Sequence, residues 1–373
     1  MKKKKVLIVL PNNWNKGGVQ TCCIRIVSDL HEKYDFYATR YKKDVGFYEK
    51  EFVDLGGTDF LIDLSRFEVD ANNAIVRSIQ KIKRKLFSYK FLYHQFCKLF
   101  KSNKFDVIHI NDLRYAATIA KAAKKSGIKK VITHVHTNTY MKSKTYRKNI
   151  EKYTDVKIAA SSHCVASVFD NEENVSIIKF GVDTKVFDVN KYPRQPIMTS
   201  INLIHVGSFC DNKNQLFLID LCKELNHIKD TRLHLVGFSN TVPMEKYKEL
   251  LINTAADYGI SDKVIFYEPD TNIPEIMSKC TCLVFPSKKE AYGIVPLEAQ
   301  TMGLNCILSD TLSKEVDLGL CRYLSINEGV DEWVKAVLEI EASIMNSVIT
   351  EKKVMSLKDY TDAFDHIYSN IDE

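Results

Sequence analysis

Short apolar runs alternate with longer amphipathic stretches along the whole chain. In the first half the runs are 5–10, 35–39, 58–62, 107–110, 130–136 and 156–160, and in the second half they are 203–207, 232–236, 263–267, 282–285 and 305–308. Continuous apolar runs of this length predict buried parallel strands, and the stretches between them predict helices on both faces of a sheet. The pattern therefore predicts an α/β protein with two Rossmann-like domains in series.

The length of 373 residues is more than a single core usually spans, which also favours two domains. A polar stretch with two prolines, 188–199, separates the two sets of runs and is the predicted linker. We place the N-terminal domain at 1–188 and the C-terminal domain at 189–356. Helical spacing of apolar residues from Leu357 to Tyr368 predicts a final helix within 357–373.

Charge divides unevenly between the halves. Residues 1–180 contain 34 Lys and Arg against 18 Asp and Glu, a net charge of +16, and residues 181–373 contain 19 against 29, a net charge of −10. Two domains with different partners explain this asymmetry. The basic half leaves a nucleic-acid-binding protein as an alternative, although no zinc finger or basic recognition helix accompanies it.

The ten cysteines are scattered and lack zinc-type spacing, and the five apolar residues after the N-terminal lysines are too few for a signal peptide. We therefore expect reduced thiols in a cytoplasmic protein. No window reaches the roughly 18 apolar residues that a transmembrane helix needs.

The most informative segment runs from Pro286 to Glu298. It predicts a strand, a short loop that contains Glu290, and a helix from about residue 295 to 302 in which Pro296 occupies the first turn. Amide groups at such a helix start favour an anion, for example a diphosphate. They belong to Ala291, Tyr292, Gly293, Ile294 and Val295. Two carboxylates beside these amides suit a ligand with hydroxyl groups around a phosphate, which describes a nucleotide-sugar.

Three further motifs follow predicted strands. Gly17-Gly18 opens a helix after the first strand, where paired glycines let a ligand approach the backbone. Gly207, Ser208 and Lys213 lie in the first turn of the second domain, and Lys213 can place a charge on a phosphate. His134 and His136 share one face at the end of another strand. Each motif alone is also compatible with an ordinary turn, a surface lysine or a structural histidine.

Taken together, these segments resemble retaining glycosyltransferases of family 4, of the bacterial capsular and exopolysaccharide type. The resemblance lies in the Glu290-x7-Glu298 spacing with its Glu-Ala helix, in Gly207 and Lys213-Asn214, and in Gly17-Gly18. It implies the GT-B fold, in which two Rossmann-like domains face each other across a cleft and the final helix returns to the N-terminal domain. Ser208 stands where the family typically has Arg, which could weaken diphosphate binding by about 1.5–3 kcal/mol.

The resemblance also implies roles for individual residues. Glu290 contacts the transferred sugar, and Glu298 contacts the ribose. The diphosphate is bound by Lys213, by the amides of residues 291–295 and by the Gly17-Gly18 loop. His136 faces the donor sugar, while His109, at the end of another strand, is a weaker candidate. We expect no metal and no cofactor, because the sequence lacks a DxD triplet.

The implied function is transfer of a sugar from a nucleoside diphosphate to a hydroxyl of a glycan or lipid-linked glycan in bacterial surface polysaccharide synthesis, with no nucleic-acid partner. A nucleotide-sugar 2-epimerase of the same architecture is the alternative enzyme, and donor alone should suffice for its reaction.

Residues 71–104 contain nine Lys and Arg and no acid. Apolar residues recur there every three or four positions and predict one helical stripe. Its members are Ile75, Ile79, Ile82, Leu86, Tyr89, Tyr93, Phe96 and Phe100. The stripe either faces the core or rests on the anionic inner face of the cell membrane, close to a lipid-linked acceptor.

Overall fold

The computed structural model describes residues 2–11, 13–15, 17–41, 43, 45–64, 74–137, 141–170, 174–194, 200–239, 241–268, 270–343 and 354–370, and only the backbone of 74–86, 163 and 166. The chain forms two compact units. Unit 1 comprises Met1–Phe180 with Lys358–Glu373, and unit 2 comprises Gly181–Leu357. The units divide after Phe180, whereas the sequence analysis places the boundary after residue 188.

Unit 1 contains a parallel sheet of seven strands in the order β3-β2-β1-β4-β5-β6-β7. The strands are β1 (Lys4–Val9), β2 (Tyr34–Arg40), β3 (Thr58–Leu61), β4 (Val107–Ile110), β5 (Lys130–Val135), β6 (Val156–Ala159) and β7 (Val175–Ile177). The central strands β1, β4 and β5 are almost fully buried because helices cover both faces of a parallel sheet. Strand order reverses between β1 and β4, so the switch point of this sheet lies there.

The helices of unit 1 are α1 (Gly18–Leu30), α2 (Glu49–Asp54), α3 (Ala74–Asn103), α4 (Ala116–Lys125), α5 (Lys144–Tyr153), α6 (Ser162–Val168) and α12 (Leu357–Ser369). Helix α12 buries Tyr360, Phe364 and Tyr368 in the core of this unit. Polar contacts also hold it, for example those in which Tyr34 Oη donates to Asp365 Oδ1 at 2.7 Å and Thr361 Oγ1 donates to Asp29 Oδ2 at 2.7 Å.

Unit 2 contains a parallel sheet of six strands in the order β10-β9-β8-β11-β12-β13. The strands are β8 (Ile201–Val206), β9 (Thr231–Val236), β10 (Val264–Tyr267), β11 (Cys282–Phe285), β12 (Asn305–Ser309) and β13 (Cys321–Leu324), and the helices are α7 (Gln215–Asn226), α8 (Val242–Asp257), α9 (Ile273–Ser278), α10 (Ile294–Thr301) and α11 (Asp331–Ser343). The switch point lies between β8 and β11, and ligands of open parallel sheets bind beyond the carboxyl ends of such strands.

Helix α3 lies entirely within the basic segment 71–104, whose first three residues lie outside the described part of the chain. Within the described side chains of the predicted stripe, Phe96 and Phe100 are buried. Lys90, Lys98 and Lys101 are exposed. The carboxyl-terminal half of α3 therefore packs its aromatic residues into the core of unit 1 and presents its charges to solvent.

Candidate donor-binding site

The switch point of unit 2 brings two loops together. One loop follows β8 and contains Lys213, and the other follows β11 and contains Glu290. Asn212 Nδ2 donates to the carbonyl of Lys289 at 2.9 Å, and the amide of Lys288 donates to the carbonyl of Asn212 at 2.8 Å. Asn214 Nδ2 donates to the carbonyl of Pro286 at 3.3 Å. These bonds hold the two loops in a fixed arrangement.

Lys213 and Glu290 meet where the loops join. The Lys213 ammonium donates to Glu290 Oε1, and both side chains are mostly buried, at 20% and 15% exposure. The ammonium also lies 5.1 Å from the centre of the Phe285 ring, a cation–π distance. A partly buried cation fixed by a carboxylate and an aromatic face is well placed to exchange its partner for a diphosphate.

Glycines allow a close approach around the turn that follows β8. A Cβ at Gly237 would lie 2.2 Å from the carbonyl oxygen of Gly207, so this position accepts only glycine. Ser208 contributes its carbonyl, which accepts from Gln215 Nε2 at 2.9 Å. Its hydroxyl lies 3.7 Å from Cys210 Sγ.

Helix α10 begins directly after the Glu290 loop. Gly293 precedes it with φ of 100°, a left-handed conformation that favours glycine, and Ile294 is the first helical residue. Pro296 lies in the first turn, where a missing N–H costs nothing. Glu298 lies in the next turn and is 9% exposed. The carboxyl ends of β8 and β11 thus gather Gly207, Ser208, Lys213, Glu290, residues 291–295 and Glu298 at one edge of unit 2.

His205 was missed by the sequence analysis. It is buried in β8 beneath Gly207, and its Nδ1 lies 3.0 Å from the carbonyl of Val284, to which it donates. Its ring stacks on Phe285 at 5.2 Å, and burial lowers its pKa to about 3. His205 is therefore neutral and supports the aromatic ring on which Lys213 rests. A histidine inside an apolar run carried no signal of this position.

The remaining predicted residues lie in unit 1. Gly17 caps α1 in an extended conformation, and Gly18 is its first residue; a Cβ at Gly17 would lie 2.9 Å from Gln20 Oε1. His136 follows β5, which is separated from β1 by β4. Gly17-Gly18 and His136 therefore follow strands that are not neighbours in the sheet.

His136 is held in one orientation. Its Nε2 lies 2.7 Å from Asn111 Oδ1, and because an amide oxygen only accepts, Nε2 carries the proton. Phe180 stacks on its ring with an interplanar angle of 2°. Burial lowers the pKa of His136 to about 3, so the ring is neutral. Asn111 was not predicted, although it is a polar residue directly after a strand.

The other two candidate histidines, His109 and His134, are core residues of unit 1. His109 Nδ1 lies 2.7 Å from Tyr368 Oη, and its Nε2 lies 3.3 Å from His134 Nδ1. Burial lowers the pKa of His109 to about 3 and that of His134 well below its usual value. His109 and His134 therefore connect β4 and β5 to α12.

Among the residues that the structure describes, no group of three or more His, Cys, Asp or Glu side chains is arranged to hold a metal ion. In the same part of the chain, none of the helices has the length and apolarity needed to cross a bilayer.

Two family models match the chain. Residues 16–186 match Glycosyltransferase Family 4, and residues 190–343 match Glycosyl transferases group 1. EpsF of Bacillus subtilis (strain 168) is 23% identical over 366 residues, with 91% of this chain and 88% of that protein covered. The capsular polysaccharide biosynthesis glycosyltransferase CapH of Staphylococcus aureus is 22% identical over 361 residues, with 92% and 91% covered.

Solved structures show the same fold. Alr3699/HepE of Anabaena in complex with UDP and glucose superimposes with a TM-score of 0.73 at 15% identity, covering 98% of this chain and 100% of that one. A glycosyltransferase from Rickettsia africae ESF-5 gives a TM-score of 0.73 at 17% identity, covering 100% and 99%. The two parallel-sheet units and the two adjoining family matches lead to one conclusion: the chain belongs to glycosyltransferase family 4 and has the GT-B fold.

Proposed function

We propose that the protein is a retaining glycosyltransferase that moves a hexose from a nucleoside diphosphate to a hydroxyl of a glycan or lipid-linked glycan in bacterial surface polysaccharide synthesis. The contact between Lys213 and Glu290 beside the start of α10 carries the proposal. CapH is named for capsular polysaccharide biosynthesis. A relative from Escherichia coli, 25% identical over 238 residues (57% of this chain and 60% of that one), is named as a galactosyltransferase acting on a diphosphoundecaprenol-linked sugar.

In this proposal Lys213, the amides at the start of α10 and the Gly17-Gly18 loop stabilise the charge of the leaving diphosphate. Glu290 binds hydroxyls of the transferred sugar, Glu298 binds the ribose, and His136 orients the sugar. When the donor binds, its diphosphate replaces Glu290 as the partner of Lys213, and Glu290 becomes available to sugar hydroxyls. No metal is required in this scheme, because fixed cations and amides do the same electrostatic work.

The proposed chemistry retains the anomeric configuration without a covalent intermediate. The bond between the sugar C1 and the diphosphate oxygen breaks, and the acceptor oxygen bonds to C1 on the same face. The acceptor's hydroxyl proton passes to the leaving diphosphate oxygen. Proton NMR of the product's anomeric centre tests whether the configuration is retained, and an inverted product would contradict the proposed chemistry.

Transfer is favoured over 2-epimerisation because both matching family models describe glycosyl transferases. The two reactions differ in one requirement, since an epimerase converts its sugar nucleotide without any acceptor. Incubation of the protein with donor alone should therefore give no epimer.

A panel of UDP-, GDP-, ADP- and CMP-sugars should contain one class that raises the thermal unfolding temperature. Alr3699/HepE was crystallised with UDP-glucose, so we expect that class to be UDP-sugars. A ligand at 100 times its Kd stabilises the folded state by about 2.7 kcal/mol. The shift should disappear in Lys213→Ala and persist in Lys288→Ala. Absence of a shift with every member of the panel would contradict the proposal.

We further propose that α3 contacts an anionic membrane surface. The support is the segment 71–104, which contains nine basic residues and no acid, and Phe87 of α3, which is 65% exposed. The protein should float with liposomes that contain anionic lipid and should remain in the bottom fraction when the liposomes are neutral. Equal recovery with both kinds of liposome would remove the membrane role and leave glycosyl transfer untouched.

A further inference from the structure

The loop between β4 and α4 contains an ion pair with an unusual division of exposure. Arg114 donates to Asp112 through its backbone amide at 3.0 Å, through Nε at 2.9 Å and through Nη2 at 3.1 Å. The Asp112 side chain is 1% exposed, whereas that of Arg114 is 54% exposed. The buried carboxylate therefore fixes the direction of a guanidinium that reaches solvent.

The Arg114 guanidinium can still donate hydrogen bonds to a ligand. A guanidinium has five N–H groups, and the bonds to Asp112 use Nε and one hydrogen of Nη2. The opposite end, with Nη1, makes no further hydrogen bond to the described residues. Because Asp112 has already fixed the side chain, a ligand that binds this end costs little rotamer entropy. An anionic group with two oxygens matches the geometry of the guanidinium fork.

The position of the pair in the sheet points to a ligand as well. Strand order reverses between β1 and β4, and the loop that contains Asp112 and Arg114 follows β4. It therefore lies at the switch point of unit 1, the place equivalent to that of the Lys213 and Glu290 loops in unit 2. The net charge of +16 in residues 1–180 further favours an anion on this unit.

One tyrosine ring lies beside the guanidinium, and two further tyrosines pack on that ring. Arg114 lies 5.6 Å from the centre of the Tyr115 ring, and Tyr89 and Tyr41 pack edge-to-face on the same ring at 5.6 and 5.8 Å. Tyr89 Oη also donates to the carbonyl of Arg114 at 3.2 Å. Tyrosine offers rigid apolar area with a polar edge, which suits a sugar ring that has both C–H and hydroxyl surfaces.

We propose that Arg114, positioned by Asp112 and flanked by Tyr89 and Tyr115, binds an anionic group on the acceptor, either a sugar carboxylate or a phosphate. The proposal rests on glycosyl transfer as the function and adds a requirement for the chemistry of the acceptor. Arg114 is the binding residue, and Asp112 is a positioning residue that acts through it.

Titrations of the full-length protein with D-glucuronate, glucose 6-phosphate and D-glucose test this subsite. UDP is present throughout, so that phosphate probes do not enter the donor site. At least one anionic probe should bind about tenfold or more tightly than glucose, because a charged hydrogen-bonded pair is worth about this factor. The glucuronate and phosphate arms identify which anion is preferred. Equal affinity for all three probes, or no binding, would overturn the proposal.

Variants distinguish specific binding at Arg114 from a general effect of positive charge on unit 1. Arg114→Gln should lose the preference for the anion, and Asp112→Asn should weaken it because the guanidinium is no longer fixed. Lys125→Gln removes a charge from an exposed position of α4 and should leave the anion preference unchanged. Thermal stabilisation by UDP, which depends on unit 2, should be unchanged in all three and confirms folding. An anion preference that survives Arg114→Gln contradicts the subsite, whereas a wild-type protein that binds no nucleotide-sugar contradicts glycosyl transfer instead.

Discussion

Replacement of Lys213 or Glu290 by Ala is expected to lower sugar transfer by about 10²-fold or more, the scale of losing one transition-state electrostatic contact. Lys213→Ala removes the cation that we propose holds the leaving diphosphate, and it breaks the ion pair of Glu290, a side chain that is only 15% exposed. Glu290→Ala removes the group that binds sugar hydroxyls. Steady-state transfer rates, measured with the nucleotide-sugar that stabilises the protein, give kcat and KM for each variant.

Two comparisons sharpen this experiment. Because the two side chains touch, the double variant should lose less than the product of the single losses. Lys288 lies in the Glu290 loop and pairs with Asp211 at 2.7 Å, but both side chains are largely exposed, so Lys288→Ala should have little effect. Near-normal turnover in either single variant, or an equal loss in Lys288→Ala, would count against the proposed roles.

The apolar pattern predicted the strands of both sheets well where they are buried. Strands β4 and β11 match the predicted runs residue for residue, and most others differ by one or two residues at an end. The analysis missed β7 and β13, which lie at sheet edges. Their sequences, Val-Ser-Ile and Cys-Arg-Tyr-Leu, contain polar residues because an edge strand is only partly covered. An apolar run is therefore a reliable signal of central strands but not of edge strands, since β3 and β10 were predicted and β7 and β13 were missed.

The contact between Lys213 and Glu290 could not be derived from the pattern alone. Periodicity predicts strands but not their order, and the two residues meet only because β11 lies beside β8 in the sheet. The strand-loop-helix context singled out both residues, and the resemblance to a family implied their roles. His205 and Asn111 had no such support, since their importance depends on Phe285 and His136, which contact them only in the folded chain.

Acidification is expected to destabilise unit 1 strongly below pH 6.5. Burial holds the pKa of His109 and His136 at about 3 and that of His134 well below its usual value, against about 6.5 in an unfolded chain. As the pH falls below 6.5, the three histidines bind protons in the unfolded state but not in the folded state. The free energy of unfolding therefore decreases until about pH 3. At pH 5 His109 and His136 each cost about 2 kcal/mol and His134 adds to this loss, against a typical total stability of 5–15 kcal/mol.

Asp59 works in the opposite direction, because burial raises its pKa to about 6 and acidification relieves the cost of its charge. This gain is only about 1 kcal/mol at pH 5, so the histidines prevail. The two tryptophans of the chain allow a direct measurement, since Trp14 is buried in unit 1 and Trp333 in unit 2. In a Trp333→Phe background, urea unfolding followed by Trp14 fluorescence at pH 7.5 and pH 5 reports on unit 1.

In that background, His134→Phe should reduce the loss of stability between the two pH values, because the side chain at residue 134 then no longer takes up a proton on unfolding. Exposed His94 on α3 provides the matched control, and His94→Asn should leave the loss unchanged. The outcome also bears on the proposed reaction, because His136 stays neutral only if His109, His134 and His136 remain buried and unprotonated. Identical urea midpoints at pH 7.5 and pH 5 would show that the three rings are already open to solvent, and a neutral His136 could then not be assumed in the transfer step.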